Sequence, residues 1–125
     1  MKICITSEGD NLGSKVDPRF GRCQYFIIVD TDTLQFEAIG NPNLDSMGGA
    51  GIQSAQLVAS KQAKAVLTGN VGPNAFSTLQ AAGIEVCTGV SGTIKEAVEN
   101  YKKGEFKKVS GPSVSSHFGM PGKNK

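Results

Sequence analysis

A chain of 125 residues with a formal net charge of +2 is long enough for one ordinary domain whose core needs neither disulfides nor a structural metal. The small net charge, the absence of tryptophan and the 6% aromatic content argue against a dedicated nucleic-acid binder, which needs a basic field and stacking surfaces. No apolar run reaches the roughly 18 residues of a membrane span, and a strand pattern begins at once. We therefore expect a cytoplasmic protein without membrane contact.

The first half of the chain predicts a strand, a long loop and a hairpin. Residues 2–6 have a strand pattern, and residues 7–23 form a polar loop that exceeds the usual connection length. Residues 24–30 are strongly apolar, β-branched and aromatic, and residues 34–39 are their expected antiparallel partner across a turn.

The second half alternates helix and strand. Glycines at positions 48, 49 and 51 precede a helix around residues 52–59, and a buried strand follows at 63–68. Pro73 suits a first helical position and Gly83 the residue after a helix, which predicts a helix over 73–82. A short strand at 84–87 precedes a third helix, for which Thr93 and Glu96 have capping-box spacing.

This order of elements predicts the fold. Alternating strands and helices favour parallel strands joined by right-handed crossovers, and the hairpin adds antiparallel edge strands. We predict a single three-layer α/β domain over residues 1–108, with a five-stranded mixed sheet and helices on both faces. Residues 109–125 hold too little apolar material to order themselves, so we predict a flexible C-terminal tail that contains the lone His117.

The carboxyl ends of parallel strands share one edge of the sheet, where ligands usually bind. Four loops should meet there: residues 7–23, 46–51, 69–74 and 88–93. Three of them lead into helix N-termini, whose N–H groups and dipoles favour anions. The glycines at 48, 49, 51 and 72, with Asn70 and Asn74, are candidate binding residues, although a plain tight junction explains the glycines equally well.

The segment Arg19-Phe20-Gly21-Arg22-Cys23 carries the strongest signal for a ligand. It combines two permanent cations, a flexible glycine and a soft thiol donor, a set that suits an anion containing soft metal atoms. The plainer alternative for the arginines is a surface ion pair with Asp17 or Asp10.

The three cysteines are odd in number, far apart and without Cys-x-x-Cys spacing, so one chain cannot build a disulfide framework or a four-thiolate cluster site. Cys4 belongs to the predicted core. Cys23 and Cys87 are candidate metal ligands, although packing explains each of them as well. No Ser/His/Asp set or carboxylate cluster suggests catalysis, so we expect the protein not to be an enzyme.

Across residues 1 to about 108, the segments KICITS, DPRFGRCQYFIIVD, GGAGIQSAQ, KAVLTGNVGPNAFSTLQAAGIEV and GTIKEAVENY resemble the dinitrogenase iron–molybdenum cofactor biosynthesis family. The resemblance implies a fold similar to ribonuclease H and a role as a nitrogenase accessory factor or small stand-alone relative. That role is non-catalytic binding, carrying or insertion of an anionic metal–sulfur cluster: the iron–molybdenum cofactor, its precursor or a related molybdenum-containing cluster. Such a cluster would be bound transiently, with a cluster donor or acceptor protein as a further partner.

Many relatives have histidine just before Phe-Gly-Arg, where this chain has Arg19, so imidazole ligation at that position is excluded. The resemblance supports these binding candidates: Arg19, Phe20, Gly21, Arg22, Cys23, Gly48, Gly49, Gly51, Asn70, Gly72 and Asn74. Two alternatives stay open. One is a small enzyme or sensor that binds a phosphorylated metabolite at helix N-termini. The other is a regulatory interaction protein that uses its C-terminal tail.

Overall fold

Five strands and three helices occur within residues 1–42, 49–106, 108–109 and 111–112, the part of the chain that the computed structural model describes. In chain order they are β1 (Lys2–Ser7), β2 (Tyr25–Asp30), β3 (Phe36–Gly40), α1 (Ala50–Ser60), β4 (Ala65–Leu67), α2 (Pro73–Ala81), β5 (Glu85–Cys87) and α3 (Ile94–Lys102).

The strands form one mixed sheet in the order β3-β2-β1-β4-β5. β1 pairs antiparallel with β2 and parallel with β4, β2 and β3 form the antiparallel hairpin, and β4 pairs parallel with β5. This arrangement confirms the predicted five-stranded mixed sheet. It also brings the carboxyl ends of the three parallel strands, β1, β4 and β5, to the same end of the sheet.

The helices cover both faces of the sheet, because β1 buries alternate residues on opposite sides. Cys4 packs in one cluster with residues of α1 and α2, including Val58 and Leu79. Ile3 and Ile5 pack in a second cluster with residues of α3, including Ile94. The predicted three-layer domain is therefore confirmed, with α1 and α2 on one face and α3 on the other.

The hairpin turn is two residues longer on its far side than the sequence pattern suggests. Asp30 accepts hydrogen bonds from the N–H groups of Asp32 and Thr33, at 2.8 and 3.2 Å. Leu34 has φ +64°, in the left-handed region, so it belongs to the turn, and β3 begins only at Phe36. The turn is thus held by a local carboxylate, as is common for aspartate.

The chain after α3 returns to the free edge of the sheet. Lys108 forms an antiparallel bridge with Cys87, and the N–H of Val109 donates to the carbonyl of Val86 at 2.8 Å. Val109, which we expected to begin the tail, therefore pairs with β5. Residues 113–125 of the predicted tail, His117 among them, lie outside the described residues. Among the helices described, none is long and apolar enough to cross a membrane.

Candidate functional site

The loop that carries the two arginines lies against the loop that follows β4. The N–H of Asn70 donates to the carbonyl of Pro18 at 2.8 Å, and the N–H of Phe20 donates to the carbonyl of Asn70 at 3.3 Å. A side chain at Gly69 would come within 2.6 Å of the Pro18 Cα, so only glycine allows this contact. We call residues 17–23 the motif loop; these contacts hold it at the carboxyl ends of β1 and β4.

Asp17 is the buried anchor of the motif loop. Its side chain is 1% exposed and accepts hydrogen bonds from the backbone N–H groups of Arg19 and Gln24, at 3.1 and 3.3 Å. Its two oxygens also pair with Nε and Nη2 of the Arg19 guanidinium, both at 3.1 Å. The ion pair that the sequence offered as the plainer alternative for Arg19 is therefore present, although Arg19 itself is 59% exposed.

Asn41 fixes the other end of the motif loop. Its buried side-chain amide donates to the carbonyls of Gly21 and Cys23, at 3.1 and 2.9 Å. Its backbone N–H donates to the carbonyl of Gln24 at 3.0 Å. Asn41 and Asp17 are not among the predicted site residues, because turn-type residues near glycine and proline have no sequence pattern that distinguishes an anchor from an ordinary loop residue.

Gly21 allows the motif loop to touch α1 directly. It has φ +94°, and a Cβ built on it would lie 3.2 Å from the Gly51 Cα. Gly51 in turn faces Ala75, since a Cβ there would lie 3.2 Å from the Ala75 Cβ. Small residues at these positions let the loop and the two helices approach closely.

The first turns of α1 and α2 open into the same cavity, of about 190 Å³. The N-caps Gly49 and Gly72 provide no side-chain hydrogen bond, and neither helix has an acidic residue in its first turn. The first N–H groups of a helix lack intrahelical partners, and their end of the dipole is positive. We call this cavity the two-helix cradle; its lining residues are Phe20, Gly49, Gly51, Ile52, Gly72, Pro73, Asn74 and Ala75.

The N-terminus of α3 does not join the cradle, contrary to our expectation for the loop at residues 88–93. Thr93 and Glu96 form the predicted capping box, with hydrogen bonds of 3.1 and 2.9 Å. The next two N–H groups donate to carbonyls of the long loop, from Ile94 to Ser14 and from Lys95 to Leu12, each at 2.9 Å. The third helix end is therefore satisfied by the protein itself.

The structure brings only some of the predicted site residues together. Phe20, Gly49, Gly51, Gly72 and Asn74 line the cradle as predicted. The lining also contains three residues that the sequence did not suggest: Ile52, Pro73 and Ala75. Gly21 packs beside the cradle, whereas Arg19, Arg22 and Asn70 are outside its lining. Gly48 lies outside the described residues.

The candidate thiolates lie in the two core layers. Cys23 is buried with Cys4 in the layer that contains α1 and α2, and Cys87 is buried in the opposite layer. Burial and then the charge of Asp17 raise the pKa of Cys23 to about 12. Burial and then Glu85 raise the pKa of Cys87. Both thiols are thus protonated at neutral pH, which favours packing over metal ligation.

No group of three or more His, Cys, Asp or Glu able to hold a metal ion occurs within the described residues.

The raised pKa of Cys23 predicts a loss of stability in alkali. Between the usual thiol pKa of 9.0 and about 12, the folded state keeps a proton that the unfolded state releases, so the free energy of unfolding should fall as pH rises. Below pH 9.0 this group should have no effect. Urea unfolding from pH 8 to 11 would measure how steeply the free energy of unfolding falls with pH, and Cys23→Ala should make that fall less steep. An equally steep fall in both proteins would contradict the raised pKa of Cys23.

The protein-family model described as dinitrogenase iron-molybdenum cofactor matches residues 1–104. The uncharacterized protein MJ0580 of Methanocaldococcus jannaschii is 32% identical over 111 residues, which cover 86% of this chain and 91% of that protein.

Solved structures agree with this match. The apo form of the orange protein from Desulfovibrio gigas superposes with a TM-score of 0.87 and 42% identity, covering 90% of this chain and 95% of the other. A Thermotoga protein with a provisional NifB assignment in the DUF35 family superposes with a TM-score of 0.75 and 37% identity, covering 86% of this chain and 91% of the other.

Proposed function

The chain belongs to the dinitrogenase iron–molybdenum cofactor family, and on this basis we propose that it binds and carries an anionic metal–sulfur cluster in the two-helix cradle. The observation that carries the proposal is the convergence on one cavity of two helix N-termini whose N-cap residues are both glycine. The protein acts as a carrier or inserter rather than as an enzyme, and its cargo is the iron–molybdenum cofactor, a precursor or a related molybdenum-containing cluster.

The chemistry of the cradle suits a sulfide-covered anion. Backbone N–H groups and the positive helix ends of α1 and α2 can donate to several sulfides at once, and glycine at positions 49, 51 and 72 leaves the backbone uncovered. Phe20 adds an apolar wall that is held by an edge-to-face contact with Phe26, with ring centroids 6.0 Å apart. Such an arrangement holds charge without forming bonds to the metal, which fits transient carriage.

The arginines play a secondary part in this proposal. Asp17 already neutralises most of the Arg19 charge at short range, so Arg19 contributes chiefly by fixing the shape of the motif loop. Arg22 is exposed on the same loop and adds a positive field near the cradle. A donor or acceptor protein would exchange the cluster at this open edge.

The orange protein was solved in an apo form, which implies that it also has a ligand-bound form. Its 42% identity to this chain supports a ligand-binding role here as well. A phosphorylated metabolite is the second candidate, because uncapped helix N-termini also bind phosphate oxygens.

Anaerobic titration of the purified chain with tetrathiomolybdate, followed by desalting and absorption spectroscopy, tests the proposal. We expect one retained chromophore per chain, with weaker binding in Arg22→Gln. Lys64→Gln is a matched control, because it removes one exposed positive charge at the opposite edge of the sheet. Loss of all colour on desalting would overturn the proposal, and thermal stabilisation by inorganic phosphate alone would favour the metabolite.

A further inference from the structure

A second cavity, of about 400 Å³, lies at the free edge of β5 and differs in character from the cradle. Its apolar lining comes from Phe76 of α2, Ile84, Val86 and Val109, and Glu85 and Lys108 form a polar rim. We call it the β5 groove. It shares α2 with the cradle but lies farther along that helix.

The chain itself leads into this groove. Lys108 and Val109 pair with Cys87 and Val86 in the antiparallel sense, a direction that leads toward the beginning of β5, where Gly83 and Ile84 line the groove. Pro112 has no N–H to continue a β-ladder, so the backbone pairing ends there and side chains must provide any further contact.

The thirteen residues from Ser113 to Lys125 contain one phenylalanine, Phe118, and the smaller apolar residues Val114 and Met120, among mostly serine, glycine and lysine. Phe118 lies nine positions after Val109, a reach of roughly 30 Å when extended, so the chain can return to a groove that Val109 itself lines. The volume of the groove is ample for a phenyl ring and its neighbours. Glu85 on the rim lies 3.8 Å from Lys108 Nζ and is 43% exposed, so Lys123 and Lys125 can also approach its carboxylate.

We propose that the β5 groove is the docking site of this chain's own C-terminal segment, residues 113–125, with Phe118 as the apolar anchor. The occupant is intramolecular because the covalent connection through Val109 places the segment at the groove at a high effective concentration. The docked segment fills the groove that Ile84, Val86 and Val109 line, and contacts the same helix, α2, whose first turn lines the cradle.

Nuclear Overhauser measurements on the full chain, with labelled methyl groups and a labelled Phe118 ring, test this proposal. We expect contacts between the ring and the methyl groups of Ile84 and Val86. Phe118→Ala should shift the amide signals of Gly83 and Val86 and speed amide exchange of Val109 about tenfold. Ser115→Ala, in the same segment, should leave these signals unchanged.

Two outcomes would overturn the proposal. One is a Phe118 ring that contacts no groove residue, with no change at Gly83, Val86 or Val109 in Phe118→Ala. The other is a set of contacts that appears only between differently labelled chains in a mixed sample, which would identify a second copy as the occupant. Neither measurement involves the cluster, so failure here is distinct from failure of the proposed function.

Discussion

Asn74→Asp should weaken binding of tetrathiomolybdate by about 10- to 100-fold while leaving the fold at least as stable as before. Asn74 is exposed in the first turn of α2 and lines the cradle, so the substitution places a negative charge beside the proposed anion with almost no change in shape. The same charge interacts favourably with the helix dipole, by about 0.3–1 kcal/mol. Anaerobic titration and urea unfolding measure the two effects.

Weaker anion binding together with unchanged or higher stability separates a binding role of Asn74 from a structural one. Gln56→Glu is the matched control, because it makes the same amide-to-carboxylate change at an exposed position of α1 outside the cradle lining. Gln56→Glu should leave the affinity for tetrathiomolybdate nearly unchanged. Any small loss of affinity that it causes should shrink at high salt. Equal affinities in Asn74→Asp and the unsubstituted protein would show that the anion does not bind at the cradle.

Asp17→Ala should lower the free energy of unfolding by about 2–4 kcal/mol. The carboxylate is 1% exposed and accepts two backbone N–H groups in addition to the guanidinium of Arg19. Its removal leaves those donors without their acceptor inside the motif loop. Urea unfolding at pH 7 measures the loss.

Asp30→Ala is the control for Asp17→Ala, because Asp30 also accepts two backbone N–H groups but does so at an exposed turn where water can replace it. Asp30→Ala should lower the free energy of unfolding clearly less than Asp17→Ala does. Arg19→Ala should also cost less than Asp17→Ala, since Asp17 keeps its two backbone donors. If Asp17→Ala unfolded at the same urea concentration as the unsubstituted protein, Asp17 would not be the anchor of the motif loop.

The elements that the sequence predicted well are those specified by neighbouring residues. The capping box of Thr93 and Glu96 starts α3, Pro73 starts α2, and Gly83 follows the end of α2 with φ +75°. Each signal acts within one turn of helix, so no knowledge of distant contacts was needed. The two faces of β1 likewise follow from simple alternation.

The site was predictable only in outline. The sequence offered both an anion-binding role and an ion pair with Asp17 for Arg19, and the structure contains the ion pair. The sequence also offered Cys23 and Cys87 as ligands, and the structure buries them in opposite layers. Which groups face the cradle depends on contacts between segments far apart in the chain, such as Pro18 with Gly69 and Gly51 with Ala75.

The amino-acid sequence by itself determined the order of elements, the mixed sheet and the family, because hydrophobic periodicity and turn residues are local and tolerate errors of a residue or two. Only the tertiary structure decided that two helices with glycine N-caps meet at one cavity, whereas the third helix end is closed by Ser14 and Leu12. The physical reason is that a free N–H group differs from a satisfied one only through its partner, and that partner can come from a remote part of the chain.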